Sequence, residues 1–205
     1  SVSLLLNRAS QYRVLSRLNK AASDLQWASQ LEPHHQGVRT ELARIYLVQG
    51  QLDQAMSTIN QAIQTVPIIR SSAHLWAIRA KIHAARQQYE LAIHDYNDAI
   101  EANPSQIEWY LLRSHLQQRM GIASQRIQGL RDGYIRTQSA VVHTEWVEAL
   151  LDGQQPNLAL PEIEIQLQQT RLKSSWLIRR ARARQQLGQA KQARDDLHAA
   201  VNEIN

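Results

Sequence analysis

The chain has 205 residues but no cysteine, no phenylalanine, only seven glycines and only five prolines. Without cysteine there is no disulfide, no thiolate metal ligand and no cysteine nucleophile. That absence suits cytosol and periplasm alike. So little glycine and proline leaves few natural breaks, and the chain is expected to be helical nearly throughout. No apolar run approaches the roughly 20 residues a bilayer-spanning helix needs. No glycine-rich phosphate loop is present, and no serine stands in a Gly-x-Ser-x-Gly setting. The opening Ser1-Val2-Ser3 lacks the basic and apolar stretches of a secretory leader. A leader already removed would leave the same start.

What is present can build a core. Hydrophobic residues make up 43% and charged residues 20%, which excludes a disordered chain. The net charge of +5 is moderately basic. It is compatible with nucleic acid and with many other partners.

The organising feature is an internal repeat. Ala21, Leu25, Ala28 and Pro33 recur 34 residues later as Ala55, Ile59, Ala62 and Pro67. A third copy stands at Ala92, Tyr96, Ala99 and Pro104, and a last one at Ala193, Leu197 and Ala200. A period of about 34 predicts stacked helix–turn–helix units rather than one globular core. Six units fill the chain, at approximately 1–35, 36–70, 71–104, 105–138, 139–173 and 174–205, and the whole is read as a single superhelical domain. An insertion of about three residues falls at Ile68 to Arg70.

Small residues should sit where the two helices of a unit cross, as at Ala55 and Ala62 around Ile59. The proline after each second helix stops it. Gly50, Gly121, Gly153 and Gly188 mark turns between helices. The fourth unit is divergent, with Arg126 and Gly133 where the others carry Ala. In the fifth, Gln154 to Leu160 is expected to be a loop, and Pro161 to open the next helix. An alternative there is a strand at Glu162 to Leu167, from the alternation of Ile163, Ile165 and Leu167.

These residues resemble the tetratricopeptide repeat, abbreviated TPR. That pattern sets Leu-Ala and Tyr on the first helix, then Ala, a large apolar residue and Ala on the second, then Pro. Leu42, Ala43, Tyr46, Gly50, Ala55, Ile59, Ala62 and Pro67 match it almost fully. Units one, three and six match on the second helix. Units four and five match by spacing and by the placement of Trp109 and Trp146. The resemblance implies an all-α, right-handed solenoid. First helices would line a concave groove that binds a peptide or protein segment and performs no catalysis.

By register, the resemblance implies groove positions at Leu6, Ser10 and Arg13, then Thr40, Arg44, Leu47 and Val48. It continues at His74, Ala77, Lys81 and Ala84, at Glu108, Leu111, His115 and Arg119, and at Ile178, Arg182 and Gln185. The fifth unit has no register of its own on these grounds. One equivalent position reads Ser10, Arg44, Lys81, His115 and Arg182, a basic line suited to an acidic segment or a carboxylate. The bland reading is a solvated face neutralised by Glu41 and Glu108. The Lys and Asn positions with which some relatives clamp a terminal carboxylate hold Leu6, Ser10 and Thr40 here, which argues against that function.

Arg171 to Arg194 holds eight Lys or Arg and no acid. Lacking aromatic partners beyond Trp176, it favours stems packed on apolar surface with wet heads over an RNA site. The eight histidines show no zinc-protease spacing, so neither metal nor cofactor is expected. The function read from all this is a protein–protein adaptor or assembly scaffold. The alternatives are a structural subunit using its convex face or ends, and RNA binding. The Leu187, Leu197 and Val201 side of the last unit is expected to be under-covered, so more chain or self-association there is a further expectation. The Gln- and Ala-rich style points to a bacterial chain, with periplasm or envelope favoured over cytoplasm.

Overall fold

The computed structural model describes residues 1–65 and 72–204. Pro67, the Ile68 to Arg70 insertion and Ser71 lie outside the described residues. Among those described there are twelve helices and no strand. They fall into two compact units, Ser1–Trp109 and Tyr110–Asn205.

The first unit contains α1 (Val2–Val14), α2 (Leu18–Leu31), α3 (Gln36–Val48), α4 (Leu52–Gln64), α5 (Ala73–Ala85), α6 (Tyr89–Ala102) and the start of α7 (Ile107–Arg119). From α1 to α6 each helix packs on the next, as the period of about 34 requires. The second unit takes the rest of α7, then α8 (Ala123–Thr137), α9 (Ala140–Asp152), α10 (Pro156–Gln169), α11 (Ser174–Gln186) and α12 (Ala190–Ile204).

The helix pairs are joined by one turn used six times. Ser16, Gly50, Gln87, Gly121, Gln154 and Gly188 all have φ between 55° and 75°. They stand 34, 37, 34, 33 and 34 positions apart. The amide after each donates to the carbonyl five residues back: Arg17 to Tyr12, Gln51 to Tyr46, Gln88 to His83, Ile122 to Gln117, Gln155 to Leu150 and Gln189 to Arg184. This closure satisfies carbonyls that the end of a helix would otherwise leave orphaned. Glycine adopts the left-handed conformation without penalty, and three of the six turns use it. In the fifth turn α9 ends at Asp152 with Gly153 as its cap, as expected. Gly153 has φ of −80°, and the left-handed residue is Gln154.

The small-residue pattern becomes the core. Ala21, Ala55, Ala92 and Ala159 are fully buried, with Leu25, Ile59, Tyr96 and Ile163 between helices beside them. Where proline follows a second helix, the residue before it is extended: Glu32 lies at φ −134°, ψ 82° and Asn103 at φ −143°, ψ 87°. The proline ring disfavours the helical region for its predecessor, so the helix stops there.

The loop expected from Gln154 to Leu160 is shorter, because from Pro156 on it is helix. Pro156, not Pro161, occupies the first turn of α10, and Pro161 lies inside it. The strand alternative fails, because Ile163 and Leu167 share the buried face of one helix. Pro161 cannot donate to the Asn157 carbonyl, and its exposed ring crowds that group. Pro161→Ala should therefore stabilise the protein by about 1 kcal/mol, after some of the gain is lost to a freer unfolded chain. Thermal melts compare the two. A variant no more stable than the parent would show that α10 already accommodates the proline without strain.

Candidate functional site

In the first unit, α1, α3 and α5 turn one face each to a shared concavity of about 490 Å³. Its walls carry Arg13, Arg44, His74, Lys81 and Glu108, and its floor includes Leu47, Ala77, Ile78 and Trp109. A second hollow of about 500 Å³ adjoins it, lined by Leu6, Thr40, Glu41, Arg44 and His74. Arg44 and His74 face both. Thr40 and Ala77 are buried in these walls, and the Thr40 hydroxyl donates to the Gln36 carbonyl.

The cations here are compensated but wet. Arg13 and Arg44 stand 3.7 and 3.4 Å from Glu41, and Lys81 donates to Glu108 at 2.7 Å. The three cationic side chains are each at least two-fifths exposed. Exposed pairs of this kind contribute roughly 0–1 kcal/mol, so an incoming carboxylate can exchange for Glu41 or Glu108 at little cost. The Arg44 Nε is buried and makes no hydrogen bond. Burial, and then the charge of Arg44, push the His74 imidazole below the usual histidine range, while Glu41 opposes the shift.

The second unit is different. The six-fold turn registers the fifth pair of helices, which the helix pattern alone could not. Glu148 then falls at the position of Arg44 and Lys81, and Asp152 a turn later. Arg182 donates to both, at 3.2 and 2.7 Å, and Arg179 reaches Glu148 at 2.8 Å. The basic line is thus interrupted by acids that bind its own Arg182. Burial raises the Asp152 carboxyl, but Arg126 and Arg182 more than reverse this and hold it below the ordinary carboxylate range. Leu111 packs partly on the core of Leu130, Val142 and Ala149. His115, Arg119 and Ile178 are exposed.

Four of the eight cations of the arginine-rich segment, Arg179, Arg180, Arg182 and Arg184, are also compensated. Arg180 and Arg184 bind Asp196, with Glu164 at 3.1 and 3.8 Å. These heads, expected to stay wet, are engaged by acids from α9, α10 and α12, which the segment itself does not contain. Arg171, Lys173, Lys191 and Arg194 of the same segment are exposed.

A feature outside the small-residue pattern recurs in both units. Arg8, Arg79 and Arg180 each grip an aspartate 16 residues on, at Asp24, Asp95 and Asp196, through Nε and a terminal nitrogen. These carboxylates are at most 11% exposed. In the fourth pair the arginine is Arg113, and its partner is the Gly129 carbonyl. Equal spacing of Arg and Asp in three repeats was the available signal. Asp95 also lies within 4.8 Å of His94 and Asp98. Both of its oxygens are held by Arg79, which leaves it poorly placed for a metal.

Two family profiles described as tetratricopeptide repeat match residues 15–82 and 73–106. No curated protein matches the chain. Among solved structures, a tetratricopeptide repeat protein from Parabacteroides merdae is 17% identical, with 98% of this chain and 79% of that one covered and a TM-score of 0.70. The C-terminal part of a TPR repeat-containing protein from Cytophaga hutchinsonii is 16% identical, with 95% and 78% covered and a TM-score of 0.78. YrrB, a TPR protein with an unusual peptide-binding site, is 14% identical, with 95% and 89% covered and a TM-score of 0.59. Identities this low establish a shared fold alone.

Proposed function

Since the chain belongs to the tetratricopeptide repeat family, we propose that it is a protein-binding adaptor or assembly scaffold whose first unit takes an acidic, partly apolar segment of a partner. Proteins of this family are typically adaptors without chemistry of their own. The observation that carries the finer reading is the 490 Å³ concavity. It gathers Arg13, Arg44 and Lys81 over an apolar floor of Leu47, Ile78 and Trp109. Guanidinium forks hold a carboxylate in two places, and the floor accepts an aliphatic or aromatic side chain next to it. That a similar fold carries a peptide-binding site in YrrB supports the same use here. Arg182 contributes less, because Glu148 and Asp152 of the second unit already claim it.

An immobilised peptide library graded in Asp and Glu content, each peptide with an Asn/Gln copy, tests this with wild type and Arg44→Glu/Lys81→Glu. Wild type should retain acidic peptides that also carry Leu, Ile or aromatic residues. The double variant should bind them about tenfold more weakly, a loss of about 1.4 kcal/mol. A melt of the variant checks that it folds. Retention of the same peptides by both proteins would remove the concavity from the reading. A second reading, a subunit that docks through another face, draws on Trp27 and Leu31. They lie one turn apart on α2, which does not line the concavity, and are 55% and 53% exposed.

A further inference from the structure

His74 is the one imidazole that lines both hollows of the first unit. It opens the buried face of α5 one residue after Ala73, yet its own side chain is exposed to the groove. From α3 it faces Arg44 and Glu41, which are themselves paired at 3.4 Å. Arg13 of α1, Lys81 further along α5 and Glu108 of α7 line the larger hollow with it. Asn103 and Gln106 complete that wall and carry no charge.

We propose that His74 is a ligand-binding residue of this concavity, and that it takes up a proton when a carboxylate-bearing segment seats against it. The inference rests on the acidic-segment reading above. Its effect is to make the affinity for acidic ligands rise as the pH falls.

The reason is the balance of charge around the ring. In the empty groove, partial burial and Arg44 disfavour the imidazolium, and Glu41 compensates only in part. A ligand carboxylate adds negative charge within reach of the ring and restores the charged form. The imidazolium then donates from both nitrogens, whereas the neutral ring donates from one. The sign follows from linkage. The bound state has the higher imidazole pKa, so it holds more protons over the interval between the two pKa values, and binding tightens as the pH drops through that interval. Aspartate and glutamate of the ligand stay ionised there, since their pKa values lie near 4. Arg13, Arg44 and Lys81 supply the part of the affinity that does not pass through His74.

The probe is the acidic peptide that wild type retains most tightly in the library, with its Asn/Gln copy as control. Titration calorimetry near pH 7 is run in two buffers of low and high ionisation enthalpy, and affinities are measured from pH ~8 to ~5.5, which brackets an ordinary imidazole. Wild type should show a buffer-dependent heat that reports net proton uptake. Its affinity should rise roughly three- to tenfold across the range. His74→Gln should show no proton uptake and a flat pH profile, whatever its affinity at pH ~8, since glutamine keeps one donor without titrating. Wild-type binding with no buffer dependence would overturn the inference while leaving the groove reading intact. So would equal proton uptake by His74→Gln, which would place the proton elsewhere. If wild type binds no acidic peptide at any pH, the groove reading fails and this inference falls with it.

Discussion

Arg79→Leu is expected to destabilise the first unit by about 3 kcal/mol, and adding Asp95→Thr is expected to restore most of that loss. Asp95 is 4% exposed, and both of its oxygens accept from Arg79, at 2.8 and 2.6 Å. Removing the guanidinium leaves a buried carboxylate beside the His83 ring, at 3.7 Å, and within 4.8 Å of the like-charged Asp98. An ion left buried without its partner costs far more than the intact pair contributes. The chain contains its own control. The second repeat has Leu42 and Thr58 at the positions of Arg79 and Asp95, and Leu42 is buried there with no charge at all. An apolar pair of this kind therefore fits between helices of this family member. At a 60–100-residue scale, 3 kcal/mol moves a melting midpoint by more than about 10 °C. The measurement is the midpoint of the first-unit transition in both variants. A single variant that loses under about 1 kcal/mol would mean that the pair is a surface contact in effect. A double variant no better than the single would mean that Leu42 and Thr58 depend on their own surroundings.

That pair also shows where sequence reading stops. The helical array is legible because its signal is redundant. Ala21, Ala55 and Ala92 must be small for the same steric reason, and their recurrence outweighs any one substitution. Gly50, Gly121 and Gly188 announce their turns, because glycine adopts positive φ at no cost. Ser16, Gln87 and Gln154 do the same work without announcing it. They are held left-handed by the hydrogen bond that closes the turn rather than by their own preference. The left-handed Gln154 carries no mark in the sequence, so the loop is expected to run to Leu160 and the fifth pair has no register. With the register in place, Glu148 and Asp152 enter the line of groove positions. Register alone puts Arg13, Arg44, Leu47, His74, Ala77, Lys81 and Glu108 on one face, because α1, α3 and α5 keep the pattern, but Ile78, Asn103, Gln106 and Trp109 line the same concavity outside that register. What could not be read is which acid answers which base. Arg180 and Arg184 look unopposed along their own helix, and their counter-ions come from α10 and α12. Local sequence carries no trace of a partner 12 or 16 residues away unless the spacing repeats.

Restoring the family's alanine at Gly133 should harm this protein. Ala occupies the equivalent position in α2, α4, α6 and α12, and glycine in a helix interior costs about 0.5–1 kcal/mol relative to alanine. Helix propensity alone therefore predicts that Gly133→Ala stabilises. Packing predicts the opposite. A Cβ at Gly133 would lie 2.6 Å from Tyr110 Cδ1 and 2.9 Å from Cγ, well inside contact distance. Tyr110 is 2% exposed and has no room to retreat. Overpacking a close-packed site costs roughly 1–3 kcal/mol, and a flat ring against a helix backbone has few ways to yield. The net expectation is a loss of about 1–2 kcal/mol for Gly133→Ala, and roughly twice that for Gly133→Val, whose branched carbon also resists the helix. The two positions should be coupled. In the first repeat, a leucine, Leu5, stands where Tyr110 stands, opposite Ala28. Gly133→Ala combined with Tyr110→Leu should therefore lose less than the sum of the two single changes. Midpoints from thermal melts of the four proteins complete the cycle. A stabilised Gly133→Ala would show that the ring yields and that propensity decides. Additive losses would show that the glycine answers to something other than Tyr110.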